Sequence, residues 1–66
     1  MKFSTDDRVT ITDPKDRWYS EVGFIEDYYV GMGGQPILWL VQLDCRSDPL
    51  PFMGDQLTLG ERVFTE

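Results

Sequence analysis

At 66 residues the chain has room for one domain and no second core, and a domain of this size buries only about 60% of the surface its unfolded chain exposes. Hydrophobic residues at 41% and charged residues at 27% fit a globular chain and not a disordered one. Twelve Asp/Glu against six Lys/Arg give a net charge of −6, spread evenly: four cations oppose seven carboxylates over residues 1–33, and two oppose five over residues 34–66. No basic stripe exists to attract a nucleic-acid backbone, and the ordinary role of such an acid excess is solubility.

The single cysteine, Cys45, rules out an internal disulfide. The opening MKFSTDDRV lacks the apolar core of a secretory signal, and no apolar run approaches membrane-spanning length. The expectation is a cytoplasmic protein with no membrane insertion.

In chain order, Arg8 to Thr12 alternates polar and apolar with β-branched residues, which predicts a half-buried strand with Val9 and Ile11 inward. Asp13-Pro14-Lys15-Asp16 ends it, because Pro cannot donate to a ladder and Asp favours a turn. Residues 13–20 form a long first loop before a second strand, Val22 to Val30, in which Gly23 predicts a bulge or sharp bend. The glycine-rich run from Gly31 to Pro36 breaks the chain again. Ile37 to Asp44 is a third strand, and Arg46-Ser47-Asp48-Pro49 makes the next turn. Leu50 to Met53 is a short strand that Pro51 confines to an edge or a strand start. Gly54-Asp55-Gln56 reads as a tight 3-10 turn, and Leu57-Thr58-Leu59 as a last short strand. Five short strands with no amphipathic helix suggest one small barrel over residues 1–66, since closure removes the exposed edges of a flat sheet. Val9, Ile11, Ile25, Trp39, Val41 and Leu43 are its expected core.

Asp7-Arg8-Val9-x-Ile11, Glu21-Val22-Gly23-x-Ile25, Val41-Gln42-Leu43-Asp44, Phe52 and Gln56-Leu57, taken in order over nearly the whole chain, resemble the pattern of SH3-like barrels. Within that group Pro14-x-x-x-Trp18-Tyr19-x-Glu21-Val22-Gly23 is similar to the electron-transport accessory proteins, among them the ferredoxin-docking subunit of photosystem I and the related subunit of the photosynthetic NDH complex. The resemblance implies an SH3-like barrel acting as a small, non-catalytic accessory subunit. Docking of acidic ferredoxin uses basic residues, whereas Arg8, Lys15 and Arg17 here lie among Asp6, Asp7, Asp13 and Asp16. The resemblance thus speaks for the barrel and not for that partner. Similar Val-Gly patterns occur in KOW-type barrels that bind RNA or protein.

Little in the chain points to catalysis. Histidine is absent, which removes the commonest general base and metal ligand. One cysteine gives no zinc or iron–sulfur set, and no calcium-loop spacing is present, so no cofactor or metal is expected. The run from Gly31 to Gly34 lacks the Lys-Ser/Thr and the helix of a phosphate cradle and reads as a hairpin loop. Cys45 beside Arg46 is either a small turn residue or a thiol activated by the neighbouring cation. Val41-Gln42 resembles part of the active-site strand of type II dihydrofolate reductases, SH3-like barrels that build one site at the centre of a tetramer. Asp44 stands where those have tyrosine, and the segment lies in an earlier strand.

The nine aromatics are the stronger lead. With Ile25 inward, strict alternation puts Asp27 and Tyr29 on its side, and Phe24 and Tyr28 outward. With Trp39, Val41 and Leu43 inward, Leu38 and Leu40 point outward. Phe24, Tyr28, Leu38 and Leu40 would then form one apolar patch, either an interaction site or a face covered by loops. Trp18 and Tyr19 in the first loop serve as a lid on one end of the barrel or as part of the docking surface. The expected function is a non-catalytic protein-interaction module binding another protein or itself through Trp18, Tyr19, Phe24, Tyr28, Leu38 and Leu40. The alternatives are an oligomeric enzyme or ligand-binding protein with a site between barrels, or a KOW-like nucleic-acid-associated barrel.

Overall fold

The structure, a computed structural model, describes residues 2–61. Met1 and residues 62–66 of the expected single domain lie outside the described residues. The chain is all-β: strands β1 (Arg8–Ile11), β2 (Val22–Tyr29), β3 (Leu38–Leu43), β4 (Leu50–Met53) and β5 (Leu57–Leu59), with one 3-10 turn, Gly54–Gln56, before β5. All strand pairs are antiparallel and form one sheet in the order β4-β3-β2-β1-β5. No helix among the described residues is long and apolar enough to cross a membrane.

The sheet must curl. Phe3, Val9, Ile11, Ile25, Trp39, Val41, Leu43, Phe52 and Leu57, drawn from all five strands and the N-terminal segment, form one cluster, each 4% exposed or less. No helix or second sheet covers that face among the described residues, so only a sheet rolled over itself can exclude water from it. Each such side chain contributes about 1.5–3 kcal/mol on burial. The N-terminal segment adds to this core: Phe3 meets Trp39 edge to face, with ring centroids 5.1 Å apart.

At Gly23 the backbone of β3 leaves no room for a side chain. It pairs with Val9 on one side and Leu43 on the other, and a Cβ there would lie 2.4 Å from the Gln42 carbonyl oxygen. The expected bulge falls elsewhere, between Ile25 and Asp27, where the β2–β3 register shifts. Gly23 therefore serves a close backbone approach.

Candidate functional site

The first loop is held by a side chain from the opposite end of the chain. The Gln56 amide nitrogen donates to the Asp13 and Asp16 carboxylates at 3.3 and 3.2 Å, while its oxygen accepts from the Met53 amide at 2.8 Å. The Asp16 carboxylate also accepts from the Trp18 amide at 2.8 Å, and the Ser20 amide returns the chain to the Ile11 carbonyl at 2.8 Å. Ser20 takes a positive φ of 75°, turning the loop into β2.

This framework presses Trp18, half-buried, onto the core. Its ring lies beneath the guanidinium groups of Arg17 and Arg46, at 5.0 and 5.2 Å, each a cation–π contact of about 0.5–1 kcal/mol at an exposed site. Between residues 15–18 and 50–52 an open cleft of about 380 Å³ remains. Tyr19 is exposed beside it.

The bulge corrects the face assignment on β2. Beyond it Asp27 pairs with Leu40, Tyr28 with Trp39 and Tyr29 with Leu38. Tyr28 thus shares the inward side of Trp39, with ring centroids 5.5 Å apart, and packs against the core. It does not point outward with Leu38 and Leu40, and Tyr29, expected inward, is exposed instead. The cause is arithmetic: one extra residue on β2 shifts every later side chain to the other face.

The six expected residues therefore occupy three places. Trp18 and Tyr28 lean on the core, and Tyr19 is exposed at the first loop. Phe24 is half-buried on the outer face, in a row with Arg8 and Gln42. Leu38 and Leu40 lie on that face opposite their own β4 partners, Met53 and Pro51 respectively. Its apolar part is larger than the sequence pattern suggests: Tyr29 is 58% exposed, Leu38 and Met53 39% each, and Val30 and Met32 in the adjoining hairpin 67% and 86%. Tyr29, Leu38 and Met53 form one row across β2, β3 and β4. Met53 could be placed in it only from the β3–β4 register, a non-local pairing that no single strand's pattern carries.

No group of three or more His, Cys, Asp or Glu among the described residues is arranged to hold a metal. Desolvation, and then the Glu21 carboxylate, push the exposed Cys45 thiol above its usual range and outweigh Arg46, so the cation does not activate it. Val41 is buried in the core, and the Gln42 amide donates to the backbone carbonyls of Leu43 and Arg46. Arg8 forks onto Asp44 at 3.0 and 2.8 Å and reaches Glu61 at 2.8 Å; its guanidinium holds the Asp44 carboxyl below the usual carboxylate range. No family model matches the chain, and no curated protein or solved structure is similar enough to count as a match.

Proposed function

We propose that this protein is a non-catalytic interaction module, a small SH3-like accessory barrel of the kind its sequence resembles, that docks another protein through the outer face of β2, β3 and β4. The supporting observation is the row Tyr29–Leu38–Met53, continued by Val30 and Met32: five large apolar side chains left in water on one end of the sheet. Scattered single hydrophobes are ordinary on a surface; a contiguous set across three strands marks a contact site. Leaving each in water forgoes up to about 1.5–3 kcal/mol relative to full burial, which an interface recovers. The free Cys45 thiol fits a reducing compartment such as the cytoplasm.

The test compares immobilised wild type with Leu38→Ser/Met53→Ser as bait for the protein that co-purifies with it, each bait first checked by circular dichroism. Stoichiometric capture by wild type and loss by a folded variant supports this function. Equal capture by both, or a monomer by light scattering that captures nothing, overturns it.

A further inference from the structure

The charges around the outer face specify its partner more closely. On that face Asp27 lies opposite Leu40, in the row next to Leu38, and exposed Glu26 occupies the bulge beside it. Neither carboxylate has a cationic partner among the described residues. Among the described residues the cations lie elsewhere or are already engaged. Arg8, the one cation that the strand registers put on this face, is held by Asp44 and Glu61. Lys2 donates to the Gly54 carbonyl, and Arg17 and Arg46 stack on Trp18 beside the cleft that Lys15 also lines.

We infer that the occupant of this face is a protein segment presenting apolar side chains flanked by Lys or Arg, and not a second copy of this chain. This rests on the interaction function proposed above and adds the partner's charge class. Apolar side chains of the partner cover Tyr29, Leu38 and Met53, while its cations meet Glu26 and Asp27, the arrangement that steers association and fixes register. A second copy would bring the same two carboxylates, neither neutralised by a cation among the described residues, and another net charge of −6 to the contact. An acidic segment would meet the same repulsion.

The test uses three amphipathic model peptides of equal length and leucine content whose polar positions are all Lys, all Gln or all Glu, titrated by fluorescence anisotropy at physiological salt. The Lys peptide is expected to bind at least tenfold more tightly than the Gln peptide, and the Glu peptide not at all. Leu38→Ser/Met53→Ser, which leaves the charge unchanged, should lose at least tenfold for the Lys peptide. If that pair unfolds the barrel, the more exposed Tyr29→Ser/Met32→Ser pair serves the same purpose. Glu26→Gln/Asp27→Asn should weaken the Lys peptide severalfold and leave the Gln peptide unchanged. Equal binding of Lys and Gln peptides, both lost in the apolar variant, would overturn the charge class and leave the docking face standing. Lys-peptide binding that survives in the apolar variants is general charge attraction and overturns the inference. Binding of no peptide counts against both the charge class and the docking function, and a dimer in sedimentation equilibrium makes a second copy the occupant instead.

Discussion

Replacing Gly23 by alanine adds one methyl group directly against the backbone of β3. Its carbon would stand 2.4 Å from the Gln42 carbonyl oxygen, 2.8 Å from the Leu43 Cα and 2.9 Å from the Gln42 carbonyl carbon, all backbone atoms that no side-chain rotation can move. Ordinary contact begins near 3.5 Å, so β2 and β3 must separate locally by about 1 Å. A ladder bond of about 2.9 Å stretched by that much is no longer a hydrogen bond. Losing one or two such bonds at about 1 kcal/mol each, on top of about 1–3 kcal/mol of overpacking, costs about 3 kcal/mol. The alanine returns only about 0.4–1 kcal/mol by restricting the unfolded chain. At about 0.05–0.15 kcal/mol per residue, a 66-residue domain has roughly 3–10 kcal/mol in all, so the substitution removes from about a third of that stability to nearly all of it. Urea titration followed by tryptophan fluorescence reads this as a midpoint lowered by about 1 M or more. Gly33→Ala and Gly34→Ala are the controls: each glycine has a positive φ, of 64° and 85°, but nothing within 4 Å of its added Cβ. They should cost about 1–2 kcal/mol for the left-handed backbone alone. A Gly23→Ala protein as stable as wild type, or more stable than the controls, would refute the close-approach argument.

Val41→Asp, which buries an unpaired charge in the core, should abolish the cooperative thermal transition; an unchanged melting curve would mean that Val41 is not interior. Gln56→Glu removes the amide donor to Asp13 and Asp16 and adds a third carboxylate beside them, so it should cost about 1–3 kcal/mol and speed amide exchange in residues 13–20. For Asp44→Asn the expected cost is no more than about 1 kcal/mol, because the pair with Arg8 is largely exposed and screened. The folded Asp44 pKa lies below its unfolded value, so the pair's contribution is fully present above the unfolded pKa of about 3.9 and fades as pH falls through the folded one. The difference in stability between wild type and Asp44→Asn should therefore be constant from pH 5 upward and vanish in strong acid; a difference that grew as pH fell would contradict the assignment.

The inward positions of β1 and β3 were legible because period-2 alternation is local: Val9, Ile11, Trp39, Val41 and Leu43 follow it without interruption and all are buried. Ile25 was legible for the same reason, lying before the bulge. Past Glu26 the rule fails, and Tyr28 and Tyr29 exchange faces, because nothing in Ile25-Glu26-Asp27 announces an extra residue. Gly23 announced itself as special, but only the β3 backbone across from it reveals why. Phe3 precedes any periodic segment, so no pattern assigns it to the core it joins. The Gln56 clamp and the Tyr29–Leu38–Met53 row join parts of the chain far apart in sequence, and that information resides in pairing register, not in any one segment.

Photo-crosslinking tests the docking face most directly. A benzophenone amino acid placed at position 38, and separately at position 53, in the full-length protein inside its own cells should give the same single heavier adduct on illumination. Position 59 is the control, because Leu59 is also an exposed leucine but lies on β5, at the opposite edge of the sheet from β4. It should give no such adduct. An adduct from all three positions alike would mean general stickiness, and none from positions 38 and 53 would mean that the outer face meets only water.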